Sequence, residues 1–307
     1  MKNFLWLVFS FYFSSFLYAS DHSIHFEEVA PGIFVHQGEH LDVDETYQGD
    51  IANIGFIVGE EAIAVVDTGG SLEIGRELEL AIKKISNLPI KYVINTHVHL
   101  DHIYGNAIFK KKGTDFIGHI ELPRAMIARK DFYEKTNLQY LEIPPEESIQ
   151  IPPTILIKPN QSKNFDLGNR IIKITGYPIS HTNTDITVED LKTKTLWAGD
   201  LLFIERTPVI DGDIHGFIAV INEILKLDVI QVIPGHGSPT KEWREAFKKE
   251  QDYFKLLRDE VRLAIDDDQD LQLTIETAGQ TESKKWELFE IQNARNINKI
   301  FPMMEWE

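Results

Sequence analysis

The sequence predicts an α+β protein, stacked sheets with helices on the outside, and three observations carry that prediction. Segments alternating apolar and polar residues come in hairpin pairs early in the chain, which argues against a doubly wound parallel sheet. Amphipathic helical stretches then alternate with short apolar strands. With 307 residues, 43% of them hydrophobic, the chain is long enough to bury one large core.

The opening segment, MKNFLWLVFSFYFSSFLYAS, stands apart from that pattern. Lys2 precedes an apolar run from Phe4 to Ala19 that ends in small residues. This is the pattern of a secretory signal peptide, residues 1–19, and a periplasmic mature chain is expected. An uncleaved anchor helix is the alternative, because Leu17 or Tyr18 makes an imperfect cleavage site, but the run is short and serine-broken for a membrane span. Residues 20–266 are expected to form the globular domain, and 267–307 an extension packing on it.

From Ile24 to Gly38, IHFEEVAPGIFVHQG reads as a hairpin turning at Pro31-Gly32. Strands follow at Ile54–Val58 and Ala62–Val66, then an amphipathic helix over Ser71–Ser86 with Ile74, Leu78, Ala81, Ile82 and Ile85 at helical spacing. IKYVIN (90–95) is a buried strand. Helices are predicted from Tyr104 and over 121–135, with a strand at Phe116-Ile117. Five prolines make 143–160 irregular. Strands at 170–175, 185–189 and 195–198 precede a helix over 214–226, a strand at 229–233 and a helix over 241–266. Beyond Asp267 the chain is charged and turn-rich, and the apolar residues of NINKIFPMMEWE are expected to dock back on the core.

Charge and cysteine usage narrow the function. With 48 acidic against 31 basic side chains, the formal net charge is -17. Such a balance repels phosphate backbones and anionic lipid heads, so nucleic acid and membrane-surface partners are poor fits, and a small molecule is the expected substrate. There is no cysteine. A thiol nucleophile, a thiolate metal site and an acylated-cysteine anchor are therefore excluded, and any metal must sit on histidine and carboxylate.

The stretch NTHVHLDHIYGN, at the end of the strand 90–95, places three of the chain's 11 histidines and an aspartate within six positions. In an extended segment His97 and His99 share one face, and Asp101 and His102 follow where a helix begins, so two neighbouring metal positions result. A chance H-x-H-x-D-H match in this chain is expected on the order of one time in a thousand. YPISHTNTD, LWAGDLLF and VIPGHGSP then place His181, Asp200 and His236 after three further predicted strands, so four strand-end loops each supply a candidate ligand. Imidazole and carboxylate without thiolate suit zinc, and iron or manganese suit the same ligands.

Taken together, H-x-H-x-D-H, a following His, W-A-G-D and P-G-H-G resemble the metallo-β-lactamase-fold superfamily, from about His25 to Asp266. Within it, VVDTGGS, KYVINTHVHLDHIYGN, WAGDLLF and the closing MMEWE resemble the quinoprotein relay system zinc metallohydrolases, exported proteins associated with quinoprotein dehydrogenases. The resemblance implies a four-layer αβ/βα sandwich. It implies one metal on His97, His99 and His181, a second on Asp101, His102 and His236, and Asp200 bridging them. Asp67 in VVDTG matches a position that orients ligand histidines, although it also reads as the cap of a strand end. HTNTDI departs from the Thr-Pro-Gly that follows this histidine in thiolester hydrolases, and a bridging Asp200 departs from true β-lactamases.

The implied chemistry is that of a dizinc hydrolase, with Asp101 and Asp200 the catalytic carboxylates and a metal-bridged hydroxide attacking a carbonyl or related ester-type bond. Two other readings stay open: a mononuclear iron enzyme like the sulfur dioxygenases, and a non-catalytic metal- or cofactor-binding accessory of a quinoprotein. The segment 201–215 leaves Asp200 and is expected to wall the cleft. Arg206 is then the candidate to orient an anionic group, unless it pairs with Glu205, and His215 a candidate hydrogen-bonding group beside the metals. No role is expected of His22, His25, His36, His40 or His119.

Overall fold

The computed structural model describes residues 24–44 and 46–307. The signal peptide and His22 lie outside the described residues. Twelve strands and eight α-helices are seen among those described.

Sheet one contains, in spatial and chain order, β1 (Glu27–Ala30), β2 (Ile33–His36), β3 (Ile54–Val58), β4 (Ile63–Val66), β5 (Ile90–Ile94), β6 (Asp115–His119) and β7 (Ile155–Ile157). Its first three pairings are antiparallel and its last three parallel. Sheet two runs in the order β12 (Gln231–His236), β11 (Thr195–Phe203), β10 (Ile186–Asp190), β9 (Ile171–Gly176) and β8 (Ser162–Asp166). The expected strands, hairpin included, are all present.

Between the sheets lies an apolar layer in which Ile57, Val66, Ile94 and Ile117 meet Ile172, Ile174, Val188 and Trp197, none more than 1% exposed. Each such side chain contributes about 1.5–3 kcal/mol through its burial. Helix α1 (Leu72–Ile85) covers the outer face of sheet one through Ile74, Leu78 and Ile82. It forms where the apolar spacing predicts, with the Ser71 hydroxyl accepting from the backbone of Ile74 and Lys83 and Lys84 in its last turn. Helices α5 (Ile214–Ile224) and α6 (Trp243–Asp266) cover sheet two. The result is the expected four-layer sandwich.

Topology sets where the loops meet. β9, β11 and β12 run in one direction, because β10 is antiparallel to both its neighbours and β11 is parallel to β12. Their carboxyl ends share one edge, and the Thr96 carbonyl, just past β5, accepts from the Ile186 amide there. At the opposite edge Arg170, 4% exposed, donates to both Asp190 oxygens and to the carbonyls of Val58 and Pro31, tying the sheets together.

Several expectations need correction. β7 emerges from the proline-rich stretch as a three-residue edge strand, ILI, that fits between Pro153 and Pro159. β8, SKNFD, is another edge strand with every second residue exposed, too polar to signal itself. Helix α4 (Leu122–Leu141) runs six residues past the predicted end, because Asn137 is buried on Ser148 and Glu142 closes it with a left-handed backbone. The tail is helical, not turn-rich: α7 (Leu271–Thr277) and α8 (Phe289–Met304) pack with α6, burying Ile297, Ile300, Phe301 and Met304. No helix among the described residues is long and apolar enough to cross a membrane.

Candidate metal centre

All seven candidate ligands converge at the shared edge of the sheets. His97, His99, His181 and Asp200 form one group and Asp101, His102 and His236 a second, the ligand atoms of each lying within 4.8 Å of one another. Asp101 and His102 sit in the single-turn helix α2 (Leu100–Ile103), which starts earlier than the sequence suggests and sets the His102 ring 4.2 Å from that of His97. Asp200 does not follow a strand end as expected. It lies inside β11, brought inward by Gly199 at φ +55, where the register with β12 slips. A Cβ on Gly235 would come within 1.8 Å of Asp200 Oδ1, so only glycine lets the carboxylate occupy this place.

What decides the chemistry is the sorting of imidazole nitrogens. His181 Nδ1 donates to the Val209 carbonyl at 2.8 Å, and His236 Nδ1 to the Ile51 carbonyl at 2.6 Å. His102 Nδ1 donates to Asp67 Oδ2 at 2.8 Å. The Thr96 hydroxyl spends its proton on Asp67, so toward His97 Nδ1, 3.1 Å away, it accepts. Each of these rings keeps its Nε2 lone pair and points it inward. His99 is reversed, with Nε2 donating to Asp211 at 3.0 Å and Nδ1 facing in. These tautomers follow from the partners.

Five lone pairs therefore face one pocket. His99 Nδ1 and His181 Nε2 stand 3.1 Å apart, close to the roughly 3.3 Å separating two nitrogens on a tetrahedral zinc. His97 Nε2, His102 Nε2 and Asp200 Oδ1 are buried without a hydrogen-bond partner. Such atoms carry a large penalty unless a cation satisfies them. The Asp200 carboxylate lies between the groups, with Oδ2 3.5 Å from His97, 3.3 Å from His181 and 3.3 Å from His236, and Oδ1 3.2 Å from His102. Asp101 Oδ2 is 3.5 Å from both His102 and His236. This donor set fits two metal ions.

The electrostatics divide the rings: His97 and His236 are pushed down, and His102 and His181 are pushed up toward a positive charge. Burial and the neighbouring His102 hold His97 well below the ordinary imidazole range, so it is neutral. Burial opposes the charge of Asp200, yet His236, His102 and His97 around it hold it well below the usual carboxylate range. His102 goes the other way: burial lowers it, but Asp200, Asp101 and Asp67 together raise it well above its ordinary value. Its Nε2 lies where the pocket demands positive charge, which a proton or a metal supplies in competition.

Asp67 is buried, with φ +54, and binds the Thr96 amide at 2.8 Å, the Thr96 hydroxyl at 2.7 Å and His102. One side chain thus binds both the backbone just past β5 and a ring of the donor set. Arg206 is 4% exposed and lines a cleft of about 590 Å³ over the donors, while Glu205 faces His40. His215 is not beside the donors. Asp213 caps α5, which leaves His215 on the exposed side of the first turn, 3.2 Å from Glu307. Asp211, which holds His99, was not singled out by the sequence, and neither were Arg129, Arg295 and Lys299 of the same cleft. A larger hollow, about 700 Å³, lies beside the start of α1 and contains none of the seven donors.

Residues 47–253 match the metallo-β-lactamase superfamily. The chain belongs to that superfamily. Its fold is shared with a stereoselective inverting sec-alkylsulfatase from Pseudomonas sp., at a TM-score of 0.67 and 15% identity, over 91% of this chain and 50% of that one. It is also shared with a metallo-β-lactamase from Pontibacter korlensis, at a TM-score of 0.57 and 16% identity, over 76% and 99% of the two chains. A linear primary-alkylsulfatase from Pseudomonas sp. (strain ATCC 19151) is 42% identical over 53 residues, 17% of this chain and 10% of the alkylsulfatase. This superfamily member thus spans about half of the first relative and matches a short part of the last.

Proposed function

We propose that the chain is an exported dinuclear zinc hydrolase that cleaves a carbonyl or related ester-type bond of a small molecule, working beside a quinoprotein dehydrogenase system. The observation that carries the hydrolase reading is the set of five inward lone pairs around a shared Asp200. His97, His99 and His181 would hold one ion, Asp101, His102 and His236 the other, with Asp200 between. When bound, two such ions supply Lewis acidity and a water ionised near neutral pH. Asp101, at the cleft wall, would hold its ion and accept a hydrogen bond from the water that attacks. The outward bonds to Asp67, Val209, Ile51 and Asp211 hold the rings still meanwhile. The quinoprotein association rests on the sequence resemblance alone. Capture of the tagged chain from periplasm, with dehydrogenase activity assayed in the eluate, checks it.

Elemental analysis of the purified chain is expected to find two zinc ions, and a panel of carboxylic, phosphate and sulfate esters at least one substrate. Sulfate esters belong there because alkylsulfatases share the fold. One iron per chain would replace this reading with the dioxygenase, and two zinc ions without turnover would favour the accessory protein. For export, the intact mass of the periplasmic product should show the loss of about 19 or 20 residues. A full-length, membrane-bound product would rule export out.

A further inference from the structure

The cleft over the donors combines charge and apolar surface in a way the metal centre does not require. In a chain of net charge -17, four cations line it: Arg129 and Lys299 beside Asp211, Arg295 beside Asp42, and Arg206. Three of them face a carboxylate. Arg295 donates to both Asp42 oxygens at 2.7 and 2.9 Å, and Arg129 and Lys299 both face Asp211.

Among the described residues, Arg206 has no such partner. Its Nε is buried without a hydrogen bond, and its Nη1 meets His236 Nδ1 at 3.4 Å, a nitrogen whose proton is already given to Ile51. The carboxylates near it are committed, Asp42 to Arg295 and Asp101 and Asp200 to the donor pocket. A buried guanidinium without an acceptor is costly, and an oxyanion in the cleft would relieve it with charge-assisted bonds. The same cleft is also lined by apolar side chains, among them Leu100, Tyr133, Ile210 and Val43, and by Phe132, which is 66% exposed.

We propose that the substrate is an amphiphilic oxyanion, its carboxylate or sulfate group docked on Arg206 beside the donors and its alkyl or aryl part lying against the apolar side chains of the cleft. This deepens the hydrolase reading and rests on it. The C-terminal helix is then part of the substrate site, since Gln292 and Arg295 hold Asp42 and so leave Arg206 free for the ligand.

The test is calorimetric titration of the full chain, metal-free and zinc-loaded, with straight-chain carboxylates, alkyl sulfates and primary alcohols of two to eight carbons. Affinity for the anions is expected to rise about threefold to fourfold per methylene, as burial of apolar chain dictates. The alcohols should bind at least about tenfold more weakly, and Arg206→Met should cost the anions about ten- to hundredfold while leaving the chain-length slope intact. Arg206→Lys keeps the charge and should retain an intermediate affinity, which serves if the methionine variant does not fold. Comparing the two anion series says whether a planar or a tetrahedral head group is preferred. Anion binding indifferent to Arg206, alcohols binding as well as anions, or an affinity flat in chain length would each overturn the proposal. Failure to take up zinc or to turn over any ester counts against the hydrolase reading instead, because the Arg206 dependence is read in both forms of the chain.

Discussion

Asp200→Asn is expected to release both metal ions and to reduce turnover of the best ester by more than about a hundredfold. Loss of an orienting partner typically costs 10–100-fold in metal affinity or activity, and Asp200 would itself hold the ions. Its two oxygens face the inward nitrogens of His97, His102, His181 and His236 at 3.2–3.5 Å. An amide there has no negative charge to share between two cations, and its NH2 would meet lone pairs that a metal needs. The substitution is nearly isosteric, and Gly235 leaves its side chain the same room, so the fold should persist. Zinc content, turnover and circular dichroism on one preparation check this. Two retained ions with full turnover would show that Asp200 is not shared between them.

The comparison with Asp101 makes the result specific. Asp101 Oδ2 approaches only the second group, His102 and His236. Asp101→Asn should therefore lose one ion and keep the other. A pair of variants that both lost two ions, or both lost one, would contradict the arrangement.

The histidine donors were legible because histidine is scarce here and falls close behind recognisable apolar strands, as in IKYVIN followed by His97 and His99, whereas Asp200 lies inside β11. What could not be read is distance between elements. Asp211 reaches His99 across 112 positions, and Arg295 reaches Asp42 across 253, and no local pattern records either approach. The place of Asp200 inside β11 depends on the left-handed backbone of Gly199, itself set by a slip against β12. His215 was misjudged because chain proximity to Asp200 says nothing of helical phase once Asp213 caps α5. The helical tail did leave a signal: Ile297, Ile300, Phe301 and Met304 fall at the spacing of one helix face, and all four are buried.

Asp67→Asn tests whether the orientation of one imidazole governs the second ion alone. Asp67 accepts from the Thr96 amide through Oδ1, and from the Thr96 hydroxyl and His102 Nδ1 through Oδ2. Asparagine can keep the first bond with its own Oδ1, but its Nδ2 then stands where Oδ2 accepted two protons. It donates, and His102 must present a bare Nδ1 to it. The ring proton moves to Nε2, where it blocks the lone pair that would hold a metal. The Thr96 hydroxyl, refused by the amide, turns its proton elsewhere, while His97 still has its Nε2 in the pocket. The backbone should tolerate the change, because asparagine accepts the left-handed conformation that Asp67 adopts at φ +54 better than any other residue except glycine. The expected outcome is a folded protein whose affinity for the ion on Asp101, His102 and His236 falls about 10–100-fold, while the ion on His97, His99 and His181 is held far better. Competition with a chromophoric chelator, resolving the two ions as separate steps, measures this directly. Equal weakening of both steps would mean that Asp67 acts through the fold and not through His102.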